Sequence, residues 1–299
     1  MKTIKNTLYP YLDAYSKNRG IAAVNAVKAY EIENEFHKKI MTEKSSENRK
    51  MLYANVYNAV HLLYGKSTNL HSHDKLVNLF GKELRGKSVL DVGCGEGQFL
   101  TSIARQLPHK KLVGIDTSIP HLPQDNNNLG IEFRLGDVID FDLQEQFDVV
   151  FSNHVIEHIA PADMSTHLIS VKKAMKSDGL FIINAPHRLF GPWDITCIKD
   201  NSHTNKIPAQ GTHVNETTYS DIILILQENG FDNFKTIFPI PRIKDYLTNL
   251  RFSPSFLMFI ENNVFLMNLL YASKIFGGER GCIARFDLTL ICSKKRCID

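Results

Sequence analysis

The chain has 299 residues, 43% hydrophobic and 22% charged, with a formal net charge of +3. That length can bury a full core, and the composition is that of a folded globular protein rather than a disordered chain. The only compact basic run, Lys294-Lys295-Arg296, is too small a footprint for a dedicated nucleic-acid binder.

Five cysteines, odd in number and without paired CxxC spacing, argue against a zinc ribbon or disulfide framework. They read as reduced thiols of a cytoplasmic protein. The opening residues carry lysines but no apolar signal core, and no run of about 18 apolar residues occurs, so neither a cleaved leader nor a spanning helix is expected.

Residues 1–87 read as a helical, polar cap, with Leu52, Val56, Val60 and Leu63 at helical spacing. From Ser88 the pattern changes to short apolar strands alternating with amphipathic helices. The strand SVLDV leads into a helix bearing Leu100, Ile103, Ala104 and Leu107 on one face. KLVGID is the next strand, ending at Asp116, and IEFRLGD and FDVVFSN follow it. A helix on Met164, Leu168, Val171 and Met175 is expected to stop at Asp178-Gly179, before the strand LFIINAP. A further helix on Tyr219, Ile222, Ile223 and Leu226 closes at Gly230. NFKTIFPI and IARFDLTLIC supply two final strands. Alternation of this kind predicts an α/β fold, a doubly wound and mostly parallel sheet with helices on both faces.

Two segments break the rhythm. Pro186–Glu216 is long, aperiodic and polar, the character of a lid or binding loop. Residues 242–277 contain FLMFIENNVFLMNLLYASKIF and read as a helical insertion before the last strand. It packs on the core or serves as an acceptor cap, a dimer surface or a membrane-surface element; peripheral membrane contact would run through 252–276.

In an open parallel sheet, ligands bind at the carboxyl ends of the strands. Here those ends carry Asp91 to Gly97, Asp116, Asp137 and Asn153 to His158. Gly93, Gly95 and Gly97 permit a tight turn and close approach of backbone to ligand. Asp116 stands at the position where a carboxylate binds a ribose. A dinucleotide site wants GxGxxG around a pyrophosphate, but position 98 is Gln, and Asp91 would set a negative charge against phosphates. Both features favour a ligand with a cationic head, such as S-adenosylmethionine.

Over about Ser88 to Gly230 the sequence resembles the class I S-adenosylmethionine-dependent methyltransferases. LDVGCGEGQFL, LVGIDTS, LGDVIDF and FDVVFSNHVIEHI are similar to four successive family motifs, each at a strand end. The resemblance implies a Rossmann-like methyltransferase fold with a seven-stranded sheet. It also implies that Asp91 and the backbone of Gly93, Gly95 and Gly97 hold the methionine portion. Asp116 would bind the ribose, Asp137 and Val138 would lie along the adenine, and Asn153 would sit near the methionine part.

For catalysis the candidates are His154, Glu157 and His158, which share one face if a helix starts there, and His213 downstream. The economical reading is His158 as a general base. The sharper reading is a metal site of His154, Glu157, His158 and His213. It resembles the metal-dependent branch that includes ubiquinone-biosynthesis and small-RNA O-methyltransferases, which carry Glu-x-x-Glu-His and a later histidine. This chain departs from it, with His154 in place of the first glutamate. Three imidazoles and one carboxylate suit a divalent transition metal better than magnesium.

The expected organisation is a cap (1–87), a methyltransferase core (88–241), the insertion (242–277) and the last strand of the core (278–299). The expected activity is methyl transfer to a small-molecule hydroxyl, on a saccharide or lipid-linked intermediate by analogy. His187, Arg188, Trp193, Asp194 and Tyr219 are candidates to line the acceptor pocket. A non-catalytic S-adenosylmethionine-binding module is the rival from another class, and a dinucleotide oxidoreductase is a third reading.

Overall fold

The structure, a computed structural model, describes residues 8–64, 71–117, 129–238, 247–248, 250–272 and 287–295. Parts of the expected insertion (242–246, 249 and 273–277) and the start of the expected last strand (283–286) lie outside the described residues.

Three helices open the described chain: α1 (Leu12–Arg19), α2 (Ala23–Thr42) and α3 (Ser46–Tyr64). Two shorter ones, α4 (His71–Leu79) and α5 (Gly81–Leu84), lead to the sheet. The strands are β1 (Ser88–Val92), β2 (Lys111–Asp116), β3 (Ile131–Leu135), β4 (Phe147–Asn153), β5 (Met175–Ala185), β6 (Phe231–Lys235) and β7 (Leu288–Lys294). Between them run α6 (Gln98–Gln106), α7 (Met164–Ala174), α8 (Tyr219–Glu228), α9 (Ser255–Glu261) and α10 (Val264–Ala272).

The seven strands stand in the order β3-β2-β1-β4-β5-β7-β6. All neighbours are parallel except β7, which runs antiparallel to both β5 and β6. The expected α/β sheet is therefore present, with the insertion helices ahead of its last strand.

Alternation along each strand sorts the core onto two faces. Leu90 and Val92 of β1 join a cluster with Met164, Leu168 and Val171 of α7 and Ile222 and Leu226 of α8. Val89 joins the opposite cluster, with Leu100 and Ile103 of α6 and Phe80 and Leu84 from the segment before the sheet. Every residue of β1 is buried, which is why it reads as a continuous apolar run interrupted only by Asp91.

The winding reverses between β1 and β4, since β1 leads outward to β2 and β3 while β4 leads to β5. That reversal opens the ligand crevice at their carboxyl ends. Helices α2 and α3 reach this edge through two small clusters. One joins Tyr30 to Ile195 and Ile198; the other joins Ile40, Phe36 and Tyr53 to Ala160 and Val214. A buried ion pair fastens α3 below them, Arg49 Nε donating to Asp163 Oδ2 at 2.7 Å.

Three boundaries differ from expectation. Helix α7 ends at Ala174, and Asp178-Gly179 falls inside β5 at an irregularity, where the β4 partner advances only from Phe147 to Val149 while β5 goes from Met175 to Leu180. Strand β6 begins at Phe231, ahead of the expected Asn233. The third concerns His154–His158, described below.

Candidate active site

The turn after β1 places Gly93, Gly95 and Gly97 at φ of 73°, 51° and 69°. This left-handed region strains residues with a side chain. At Gly93 the reason is also steric, because an added Cβ would lie 2.5 Å from Val155 Cγ2. The turn is tied to the end of β2. Gly93 N and Cys94 N donate to the Ile115 carbonyl at 2.8 and 3.1 Å, and Gly95 N donates to Asp116 Oδ2 at 2.8 Å.

A cavity of about 270 Å³ lies over this turn, lined by His73, Asp91, Gly93, Gly95, Phe99 and Asn153 among others. Asp91 is buried, and burial followed by the charge of Asp116 pushes its carboxyl well above the usual range. A cationic ligand group would offset that cost. Asn153 Oδ1 accepts from Asn184 Nδ2 at 2.8 Å, which fixes its amide.

Asp137 and Val138 follow the end of β3. Asp137 Oδ1 accepts from Ile139 N at 2.8 Å, and its other oxygen pairs with Lys50 of α3 at 2.8 Å. The Val138 carbonyl accepts from His167 Nδ1 at 2.7 Å.

Beyond β4 the expected helix is absent. His154 takes φ 56°, and Ile156–His158 form a single 3₁₀ turn. The three polar residues are nonetheless gathered by tertiary contacts. His154 is 57% exposed and its Nδ1 lies 3.0 Å from Glu157 Oε1, while Glu157 is 1% exposed. Burial pushes the Glu157 carboxyl up, but the bond and charge of His154 and the charges of His158 and His213 outweigh it and bring it down to about 2. Its second oxygen, Oε2, is buried without a hydrogen-bond partner.

His158 and His213 meet edge to face beside this carboxylate. Their ring centroids are 4.8 Å apart with planes at 84°. His158 Nδ1 donates to the Thr212 carbonyl at 3.1 Å, and His213 Nδ1 bonds Glu216 Oε1 at 2.7 Å. His158 therefore keeps Nε2 as a lone-pair donor, and His213 does so once its Nε2 proton is released. Burial and then the charge of His213 hold His158 down at about 4. Burial alone would also lower His213, but the bond to Glu216 and the charges of Glu157 and Asp194 raise it to about 9.

One ligand atom each from Glu157, His158 and His213 can lie within 4.8 Å of the others. The donor set fits a divalent metal: an orphaned buried carboxylate oxygen and two imidazoles, each with Nδ1 anchored by a carbonyl or carboxylate. His154 is outside this group of three. Its ring bonds Glu157, so the four-ligand set reduces to three plus a residue that orients one of them.

The methyltransferase domain family model matches residues 83–248, more than half of the chain. The chain belongs to the class I S-adenosylmethionine-dependent methyltransferases. The ubiquinone biosynthesis O-methyltransferase of Bradyrhizobium diazoefficiens is 27% identical over 135 residues, 44% of this chain and 51% of that protein. The one from Azorhizobium caulinodans is 26% identical over 170 residues, 50% of this chain and 65% of that protein. The match thus spans about half to two thirds of these relatives' length. Among solved structures, the 1,6-didemethyltoxoflavin-N1-methyltransferase of Burkholderia thailandensis superposes with a TM-score of 0.51 at 16% identity, over 84% of this chain and 90% of that one, a likeness of fold.

In this methyltransferase the candidate acceptor residues divide. His187 and Tyr219 are fully buried, and Asp194 nearly so. His187 Nε2 bonds Glu261 Oε2 at 2.9 Å, and Glu261 also accepts from Tyr219 N and Ser220 N at the start of α8. They fasten the insertion to the core. Arg188 is half-exposed and pairs with Asp221 at 2.7 Å. Trp193 Nε1 donates to the His187 carbonyl at 2.9 Å.

The sequence reading missed Glu216, Tyr57, Glu33 and His73. Glu216 carried a signal, standing three residues after His213 in HVNE. The ring of Tyr57, on α3, lies edge-on to His158 with centroids 6.0 Å apart, and no local pattern announces that contact.

Proposed function

We propose that this methyltransferase transfers the methyl group of S-adenosylmethionine to a hydroxyl of a small-molecule acceptor. The observation that carries this reading is the group of Glu157, His158 and His213, with Glu157 Oε2 unpartnered and both Nδ1 atoms anchored. Asp91, the glycine turn, Asp116 and Asn153 would bind and orient the cofactor at the β1/β4 crevice. Glu157, His158 and His213 would hold a divalent cation, whose contribution is to lower the pKa of a bound hydroxyl. His154 would keep the Glu157 carboxylate aligned and Glu216 the His213 ring. The resemblance to O-methyltransferases of ubiquinone biosynthesis supports oxygen as the acceptor atom.

A second reading dispenses with the metal. The anchored Nδ1 of His158 leaves Nε2 of a neutral ring to take the hydroxyl proton, as a general base would. An acceptor on a lipid carrier is supported by the insertion, whose outer face bares Phe256, Phe259, Val264, Phe265 and Leu269. Among the described residues no single helix is long and apolar enough to cross a membrane; α9 and α10 meet at 83°.

Calorimetric titration of the S-adenosylhomocysteine-loaded protein with manganese, zinc and magnesium separates the two readings. The metal reading expects one site, tighter for manganese or zinc than for magnesium and lost in His213→Ala. Methyl transfer to a panel of phenolic, catecholic and sugar hydroxyls, undiminished after chelation, would leave His158 as a base. Transfer to amines alone would overturn the hydroxyl assignment.

A further inference from the structure

The segment Gln210–Thr212 lies outside every helix and strand, so its backbone groups need partners from elsewhere. Gln210 N and Gly211 N donate to Thr196 Oγ1 at 2.8 Å and Asp194 Oδ2 at 2.6 Å, and one face of α2 supplies the other partners. Tyr30, Glu33, Asn34 and His37 stand at the i, i+3, i+4 and i+7 positions that share a helix side. Tyr30 Oη donates to Gln210 Oε1 at 2.7 Å, and Asn34 Nδ2 to the Gln210 carbonyl at 3.2 Å. His37 Nδ1 donates to the Gly211 carbonyl at 2.9 Å. Thr212 N donates to Glu33 Oε2 at 3.0 Å, while Tyr64 Oη donates to Glu33 Oε1.

The fit leaves no slack. A Cβ on Gly211 would lie 2.5 Å from Glu33 Oε2 and 2.7 Å from Asp194 Oδ2. On the far side, Val214 N and Asn215 N donate to the Glu157 carbonyl at 2.9 and 3.0 Å. Glu33 itself is 1% exposed.

We propose that Glu33 is a positioning residue of the methyl-transfer site, acting on His158 through Thr212. Its carboxylate grips the Thr212 amide. The carbonyl of that same residue accepts from His158 Nδ1, and a carbonyl can only accept, so the proton is held on Nδ1. The nitrogen left with a lone pair is Nε2, the one a metal or a hydroxyl proton requires. Neighbouring His213 is carried by the residue after Thr212, so the same grip sets its approach. The cap helix is therefore part of the catalytic apparatus, although it contributes no atom to the reaction.

This inference rests on reading His158 and His213 as the working pair, and its test does not need the acceptor. Nitrogen-15 NMR of the full chain with S-adenosylhomocysteine bound reports the His158 tautomer directly. Wild type and Glu33→Gln, whose side-chain oxygen still accepts from Thr212 N, are expected to show the proton on Nδ1. Glu33→Ala is expected to lose that single tautomer. Its S-adenosylhomocysteine affinity should stay within about threefold, while manganese affinity falls by about 10–100-fold, the range for losing an outer-shell partner.

An unchanged His158 tautomer in folded Glu33→Ala would overturn the proposal, as would equal losses in the alanine and glutamine variants. If Glu33→Ala does not fold, Glu33→Asp, whose shorter side chain draws the carboxylate away from Thr212 N, is read in the same way. If wild type binds no manganese, the metal reading fails and the tautomer alone decides the role of Glu33.

Discussion

Asp116 Oδ2 accepts a hydrogen bond from Gly95 N at 2.8 Å, so the carboxylate that ends β2 also pins the glycine turn that follows β1. The proposed cofactor contact of Asp116 and the geometry of the turn would thus be coupled in one side chain. Asp116→Ala should weaken S-adenosylhomocysteine binding by about 2–4 kcal/mol, from charge-assisted bonds worth roughly 1.5–3 each and not additive. Calorimetry would check it, and Asp116→Asn, which can still accept from Gly95 N, should lose less. Equal affinity in wild type and the alanine variant would remove Asp116 from the cofactor site.

The glycines of that turn should not be equivalent. Gly93→Ala must adopt positive φ and also displace Val155, whereas Gly95→Ala meets only the backbone strain, with open space around its Cβ. The expected costs are about 1–3 kcal/mol for the strained backbone in each, with the steric term added only at Gly93. Chemical denaturation of both variants tests the ordering. A Gly95→Ala variant less stable than Gly93→Ala would contradict it.

Glu216 has no catalytic atom in this scheme, yet it anchors His213 at 2.7 Å. Glu216→Gln should cost roughly 10–100-fold in manganese affinity, as for other outer-shell partners of a metal-bound imidazole. S-adenosylhomocysteine affinity should not follow. Parallel loss of both would mean that Glu216 shapes the whole loop from Pro186 onward rather than one ring.

Glu33 gives a pH dependence with a defined sign. Burial, opposed by the Tyr64 bond and reinforced by the charge of Asp194, raises its carboxyl from 4.5 to about 7. A folded value above the unfolded one means that its contribution is fully present below pH 4.5 and is lost as pH rises through 7. The loss is roughly 3–4 kcal/mol across that window, at about 1.4 kcal/mol per unit. Urea denaturation from pH 4.5 to 8 should show this slope in wild type and a shallower one in Glu33→Gln. Identical slopes would mean that the carboxyl titrates normally.

Glu261 joins three partners that have no obvious replacement: His187 and the amides of Tyr219 and Ser220. Glu261→Ala should destabilise the protein by about 3–5 kcal/mol, the loss of three bonds to a buried carboxylate worth roughly 1.5–3 each and not additive. A change within a few tenths of a kcal/mol in thermal or urea unfolding would show that the insertion is not fastened there.

The sheet was legible because its signals are local. Leu112 to Ile115 and Val149 to Phe151 are apolar runs ending in polar residues, Val89 to Val92 is one broken by Asp91 just before the glycines, and strand ends are where an open sheet binds ligands. The gathering of Glu157, His158 and His213 was legible in composition but not in cause. The expected helical spacing gives way to a left-handed His154 and a 3₁₀ turn, and the residues converge because Thr212 and Glu157 backbone groups hold the second segment against the first. Glu33 was not legible at all. A glutamate within EIENEF on a polar helix looks solvated, and its burial is decided by a loop far along the chain.

The contacts between α2 and Gln210–Thr212 join residues 174 to 180 positions apart. Emerging from the ribosome, the chain would complete β1, β2 and their glycine turn while His158 still lacked the carbonyl that orients it. The turn proposed to hold the cofactor would therefore be synthesised well before the contacts that orient His158 are complete. A chain begun at residue 83, where the family match starts, would keep every strand of the sheet and lose the helix that aligns its histidines.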